Sequence, residues 1–293
     1  MSDFGRYWHD LDRELAEIVP ALELEAIPRM SSDAATVYRA AFTSIGPYRL
    51  GGFLSVPRGR GPFPGLLATP RYGSVNQPPH PLDQDRYLVL VLMHRGQRLA
   101  DVPMRAAYPG LLTIDVADPE RYVFRGIAAD CLRAFEVLAA RPEIDRERIA
   151  ATGGDLAFIV AARRTVPYTA VTEPFLFHRL PDAMVRTDLY PTEEFHDHLR
   201  AHPGDDAAVR RTTALFDPER HASDVRGRVL LPVGDDGQIG GREWVAGLID
   251  VLGDRVDVLQ LSHRGGRDQD AVDAWLSRSL AVPARPRSWT VAR

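Results

Sequence analysis

The order of apolar segments along the chain constrains its fold most strongly. Short apolar runs of strand character, such as "YLVLVLM", "RIAATGG" and "RVLLPVG", alternate with segments of helical periodicity such as "CLRAFEVLAARP". Strands joined by crossover helices run in the same direction, and the helices cover both faces of the sheet that they form. The pattern therefore predicts an α/β fold with a mostly parallel, doubly covered sheet.

The segments outside this alternation complete the predicted architecture. The opening "FGRYWHDLDRELAEIV" has helical periodicity, and the alternating segments that follow it predict antiparallel strands. Residues 177–225 are polar and helical in pattern, which predicts a helical insertion over the edge where the parallel strands end, the usual place for a site. Because neither a repeat nor a low-complexity linker interrupts the chain, residues 1–293 are expected to form a single domain.

Composition and charge exclude several classes of function. With 293 residues, 45% hydrophobic content and a formal net charge of −4, the chain lacks the basic character that nucleic-acid binding requires. No apolar run is long enough to span a membrane, and the charged N-terminus does not resemble a signal peptide. The single Cys131 lies at a buried position of a predicted helix and suits a reducing compartment. A cytoplasmic location is expected, with neither nucleic acid nor a membrane as partner.

The turn at the centre of "ERIAATGGDLAFIVAARR" is the first candidate site. Gly153 and Ala157 are small residues that flank Asp155 two positions before and two after, between a predicted strand and a predicted helix. This is the steric pattern of a nucleophile elbow, a tight turn that exposes one side chain above a parallel sheet, although that side chain is usually Ser. An Asp also suits the start of a helix as an N-cap. Both interpretations of Asp155 are open.

Two later segments supply candidate partners for Asp155. The stretch "LLPVGDDGQIGG" places Asp235 and Asp236 directly after a predicted strand, and "VDVLQLSHRGG" places His263 after the next one. In α/β-hydrolases the acid and the His follow the nucleophile in this order, each on a loop after a later strand. Asp155, one of the two aspartates and His263 are therefore the predicted catalytic residues.

These features together resemble the acetyl xylan esterase and cephalosporin-C deacetylase family of α/β-hydrolases over nearly the whole chain. The resemblance implies a small-molecule substrate, a homo-oligomer, and an oxyanion hole formed by the backbone N–H groups of Tyr72 and Leu156. No cofactor is expected. The matching segments are "FGRYWHDLDREL", Tyr72-Gly73, Arg95-Gly96-Gln97, Tyr122 to Arg125, "RPEIDRERIAATGG", "EPFLFHR" and His263.

The departures from the family pattern lie at the site itself. The family's Gly-Gly-Ser-Gln-Gly-Gly reads "GGDLAF" here, its His-Gly-Tyr-Gly reads "PRYG", and its acid loop reads "GDDG" without the following prolines. The serine nucleophile is therefore replaced by Asp155. The acid of this loop is therefore either shifted by one residue or lost, and the sequence leaves open whether Asp235 or Asp236 supports His263.

An aspartate at the elbow permits three interpretations. Asp155 is a carboxylate nucleophile, or it is a general acid or base whose pKa is raised by a pocket that Leu156 and Phe158 make apolar, or the site is silent. We expect an enzyme with an altered active site in which Asp155 and His263 act as a pair. Its expected substrate is a small, fairly apolar molecule of specialised metabolism, and the expected reaction is a hydrolysis, a cyclisation or an elimination. The alternative is a catalytically silent binding or scaffold protein.

A cluster of histidines in "EEFHDHLRAH" lies outside these candidates. His198 and His202 share a helix face at the i, i+4 spacing of metal ligands, with His196 nearby. No further ligand follows at a suitable spacing, and no metal site is predicted.

Overall fold

One sheet of nine strands organises residues 2–73 and 76–287, the part of the chain that the computed structural model describes. The strands lie in the order β1-β2-β3-β5-β4-β6-β7-β8-β9. The pairs from β1 to β5 are antiparallel, and all pairs from β5 onward are parallel. The predicted fold class is confirmed. The strands are β1 (Glu23–Ala26), β2 (Ala35–Ser44), β3 (Tyr48–Pro57), β4 (Phe63–Ala68), β5 (Leu88–Met93), β6 (Ile144–Gly153), β7 (Tyr168–Val171), β8 (Arg228–Val233) and β9 (Val256–Gln260).

One helix precedes the sheet, and four helices lie between β7 and β8 in the described part of the chain. These four form the predicted insertion, and the described structure has no strand within it. None of the helices in the described ranges has the length and apolar character needed to cross a membrane. The helices are α1 (Asp3–Ala16), α2 (Val123–Ala139), α3 (Asp155–Arg163), α4 (Leu180–Arg186), α5 (Glu193–Ala201), α6 (Asp206–Thr213), α7 (Pro218–His221), α8 (Ala246–Leu252) and α9 (Gly265–Ser279).

The first helix, α1, is amphipathic and packs the N-terminal segment against the insertion. Tyr7, Trp8, Leu11 and Leu15 recur at helical spacing and are all buried. The indole Nε1 of Trp8 donates a hydrogen bond to the carbonyl of Leu215 at 3.2 Å, just after α6. The N-terminal segment is therefore part of the same core as the sheet.

The two faces of the sheet are covered unequally. Alternate residues of β5 point to opposite faces, so Leu90 belongs to the larger core cluster with α2 and α3, whereas Val89 and Val91 belong to a smaller one. Among the described residues, α9 is the α-helix that contributes to the smaller cluster. The described residues between β4 and β5 contain only a short 3-10 turn at Pro81–Asp83. A space is therefore left on this face beside α9.

The "RGQ" segment after β5 is held by a buried ion pair. Asp130 in α2 is fully buried, and its carboxylate accepts hydrogen bonds from Nε and Nη2 of Arg95 at 3.0 and 2.8 Å. The backbone N–H of Arg95 donates to the same carboxylate at 3.0 Å. This fork fixes the end of β5 to α2, so Arg95 has a structural function.

Replacing Asp130 with Asn tests this function. The Asp130→Asn variant leaves the half-buried guanidinium of Arg95 without a counter-charge, and we expect it to lower the free energy of unfolding by about 3 kcal/mol. Urea denaturation of the wild type and variant measures this loss. The exposed pair of Asp206 and Arg210 is the control, because Asp206→Asn should cost less than about 1 kcal/mol. Equal losses in the two variants would contradict the assignment.

Candidate active site

A cavity of about 1070 Å³ occupies the space beside α9. Side chains of β4 and β5 line one side, namely Leu66, Ala68, Val89 and Val91, and Leu276 of α9 lines another. Cavities that bind small molecules are usually about 300–1,000 Å³ in volume and mostly apolar, with a few polar groups that orient the ligand. The cavity therefore has the size and lining of a small-molecule site.

Polar residues that follow the parallel strands also line this cavity. Arg71 follows β4, Glu173 follows β7, and His263 follows β9. The carboxyl ends of parallel strands meet at one edge of a sheet, which is where α/β folds place their ligands. The cavity therefore reaches the edge of the sheet at which the sequence analysis expects a site.

His263 is hydrogen-bonded to Asp235. The distance from Nε2 of His263 to Oδ1 of Asp235 is 3.2 Å, and both side chains are more than half exposed. His263 has a φ of +54°, a left-handed conformation that is uncommon for a residue other than glycine and is enriched at functional sites. The structure thus pairs His263 with Asp235, and Asp236 has no such contact among the described residues.

Asp155 is turned into the protein and holds a neighbouring segment. It is buried, and its carboxylate oxygens accept hydrogen bonds from the backbone N–H groups of Leu176 at 2.7 Å and Phe177 at 3.1 Å. The N-cap of α3 is Gly154, and Asp155 is the first residue of the helix. Asp155 is not among the described residues that line the cavity. Its carboxylate binds the segment 172–179 after β7.

The environment of Asp155 favours its neutral form. Burial raises the pKa of its carboxyl to about 7, although the hydrogen bonds from Leu176 and Phe177 act in the opposite direction. The Asp217 carboxylate nearby adds a smaller upward shift of this pKa.

The turn before Asp155 requires glycine. Gly153 has a φ of +146°, and a Cβ atom there would lie 2.0 Å from Oγ1 of Thr69. A Cβ atom on Gly154 would lie 3.2 Å from the Cβ atom of Glu173. The narrow elbow predicted from the sequence is therefore present, and Glu173 packs directly against it.

Glu173 is a candidate functional residue that the sequence analysis missed. Its side chain is only a quarter exposed, and its Oε1 lies 2.6 Å from Nη2 of Arg71. Burial raises the pKa of this carboxyl, and the Arg71 guanidinium acts to lower it. Glu173 lines the same cavity as His263. Its position directly after an apolar strand, like that of Asp235, was the signal that could have identified it.

The residues predicted to form the oxyanion hole, Tyr72 and Leu156, have other surroundings than the cavity. The hydroxyl of Tyr72 donates to the carboxylate of Glu194 in α5 and accepts from the N–H of Leu112 at 3.2 Å. Glu194 also accepts from the N–H of Gly110 at 2.7 Å. Leu156 is in the first turn of α3 and is buried. Within the described ranges, neither Tyr72 nor Leu156 lines the cavity, and their oxyanion function stays a prediction.

Comparisons with known proteins agree with this architecture. Residues 1–241 match the sequence model of the acetyl xylan esterase family, AXE1. The acetyl xylan esterase from Paenibacillus sp. R4 has a TM-score of 0.81 at 18% identity, covering 97% of this chain and 95% of its own. Acetyl xylan esterase 1 from Thermoanaerobacterium sp. JW/SL YS485 has a TM-score of 0.79 at 20% identity, covering 95% and 94%. A puromycin hydrolase has a TM-score of 0.57 at 14% identity, covering 91% of this chain and 40% of its own. The structural likenesses show a shared fold.

The buried carboxyl of Asp155 predicts a pH dependence of stability. The pKa is about 7 in the folded protein, against about 3.9 for an unfolded Asp. The folded state therefore binds this proton more tightly, and the stabilisation is full below about pH 4 and lost as the pH rises through 7. Between about pH 5 and about pH 7.5, the wild type should lose roughly 2 kcal/mol of unfolding free energy relative to Asp155→Asn. Urea denaturation at each pH measures the free energy of unfolding of both proteins. If this free energy changes with pH in the same way in both, the burial of an ionisable group at position 155 is contradicted.

Proposed function

Because the chain belongs to the acetyl xylan esterase family, we propose that it is a hydrolase without a serine nucleophile that acts on a small, fairly apolar molecule. The observation that carries this proposal is that His263, paired with Asp235, and Glu173 line one cavity that has apolar walls. A general base and a general acid that face one cavity are the usual parts of acid/base catalysis.

In this proposal His263 is the general base. Asp235 accepts the hydrogen bond from the Nε2–H group, which leaves the lone pair of Nδ1 to accept a proton. His263 removes a proton from a water molecule, and the resulting hydroxide adds to the carbonyl carbon of an ester. The Asp235 carboxylate stabilises the imidazolium that forms. No covalent acyl-enzyme is needed.

Glu173 is the general acid in this proposal. Its partial burial favours the protonated form, which can donate a proton to the leaving oxygen when the bond between carbonyl carbon and oxygen breaks. The Arg71 guanidinium, 2.6 Å away, then stabilises the carboxylate that remains. The products are a carboxylic acid and an alcohol. The same two groups could promote a cyclisation or an elimination of an apolar substrate.

Asp155 is a positioning residue in this proposal. Its hydrogen bonds to Leu176 and Phe177 fix the segment that carries Glu173 at the edge of the cavity. The sequence-based hypothesis that Asp155 is itself the nucleophile, acid or base requires a structural change at this residue. Both N–H groups would have to release the carboxylate before it could reach a substrate.

Hydrolysis of an activated aryl acetate tests these functions. For His263→Ala and Glu173→Gln we expect kcat/KM to fall by about 10²- to 10⁴-fold, because each removes one proton transfer. The exposed His9 of α1 provides the matched control, His9→Ala, which should retain full activity. Asp155→Asn should lower kcat by less than His263→Ala does, because it removes no group that transfers a proton in this proposal.

Two results would contradict the proposal in different ways. If Asp155→Asn abolishes turnover while Glu173→Gln is unchanged, Asp155 itself performs the chemistry. If the wild type binds the ester without turning it over, the chain is a silent binding protein. Circular dichroism of each variant shows whether a loss of activity reflects a loss of folding.

A further inference from the structure

Three potential metal ligands meet where α5 of the helical insertion ends, and none of them lines the cavity. His198 lies in α5, His202 ends that helix, and Asp205 lies in the short turn Pro203–Asp205 that follows. One ligand atom from each residue lies within 4.8 Å of the other two. The sequence spacing offered His198 and His202 but no third ligand, and the turn supplies it.

The spacing of two of these ligands suits a tetrahedral ion. Nε2 of His198 lies 3.1 Å from Oδ2 of Asp205. Zinc binds His nitrogen and carboxylate oxygen at about 2.0–2.2 Å, so neighbouring ligands of a tetrahedral site are separated by about 3.3 Å. The His198 and Asp205 side chains therefore occupy two adjacent corners with little rearrangement, once the ion takes the place of the proton that Nε2 shares with Oδ2.

His202 has the tautomer that a third ligand needs. The carbonyl of His198 can only accept, so Nδ1 of His202, 3.2 Å away, must donate to it. Nε2 then carries the free lone pair, and a hydrogen bond from the other ring nitrogen to a carbonyl is the usual support of a metal-binding His. The ring is exposed and stacks on His198 at 4.7 Å between centroids. Rotation of the exposed His202 side chain away from the His198 ring would bring its Nε2 to the ion as the third ligand.

We propose that His198, His202 and Asp205 form a Zn²⁺ site that links the end of α5 to the turn after it. Three protein ligands leave the fourth position to water. The bound ion would stabilise the insertion, and α5 also carries Glu194, which holds Tyr72. The site is independent of the proposed hydrolase function.

A second group of potential ligands, His178, Asp217 and Glu219, does not compete with this site. Nδ1 of His178 lies 3.2 Å from Oδ1 of Asp217, and its Nε2 lies 3.0 Å from the carbonyl oxygen of Trp244. Both partners are acceptors, so both ring nitrogens donate. Burial acts to lower the pKa of His178, but the hydrogen bonds to Asp217 and Trp244 raise it overall, which favours the charged ring without a lone pair for a metal ion.

Titration of the untagged, chelator-treated chain with Zn²⁺ tests the proposal by calorimetry. We expect one equivalent to bind, and Co²⁺ to give the intense visible bands of a four-coordinate site. His202→Ala and Asp205→Asn should each weaken the binding by at least about tenfold. His9→Ala, which removes another exposed helical His, should bind as the wild type does.

The melting temperature, Tm, gives a second readout, because an ion that binds only the folded state raises it. The Zn²⁺-dependent rise should be present in the wild type and His9→Ala and lost in the two ligand variants. The proposal is overturned if the wild type shows no saturable Zn²⁺ binding, or if both ligand variants bind with unchanged affinity. Each ligand variant changes a side chain at the surface, and circular dichroism verifies that it folds.

Discussion

The arrangement of the site depends on the pair of hydrogen bonds that the Asp155 carboxylate accepts from the backbone of Leu176 and Phe177. These bonds tie the first turn of α3 to the segment after β7, two elements separated by about twenty residues. A buried carboxylate is costly unless its oxygens are hydrogen-bonded, and the two main-chain donors offset part of the cost of burying Asp155, whose pKa is still raised to about 7. The segment carries Glu173 and forms part of the wall of the cavity.

The unequal covering of the sheet explains where a substrate can bind. On the face of β4 and β5 that α9 leaves partly open, a cavity forms with apolar side chains along it and polar groups at the edge where the strands end. The elbow itself is filled by the carboxylate of Asp155 and its backbone partners. In the proposed mechanism the reacting groups are therefore His263, with Asp235, and Glu173, which line the cavity, rather than Asp155 in the turn.

Much of the fold, but less of the site, was predictable from the sequence. Alternating apolar and helical segments predicted the parallel sheet and the insertion because strand and helix periodicity is local information. The order of Asp235 and His263 after successive strands predicted their proximity, but the choice between Asp235 and Asp236 depends on side-chain directions within a turn. The burial of Asp155 depends on a distant segment that wraps over it. Glu173 was missed because the expected order of nucleophile, acid and His assigns no catalytic group to the segment after β7.

Amide hydrogen exchange at Leu176 and Phe177 tests the central claim most directly, because their N–H groups are the donors to Asp155. In the wild type both amides should exchange slowly. In Asp155→Ala they should exchange at least about tenfold faster, while amides in the centre of β5 keep their protection. Equal exchange of Leu176 and Phe177 in the two proteins would contradict the account, since the carboxylate would then not hold the segment that shapes the site.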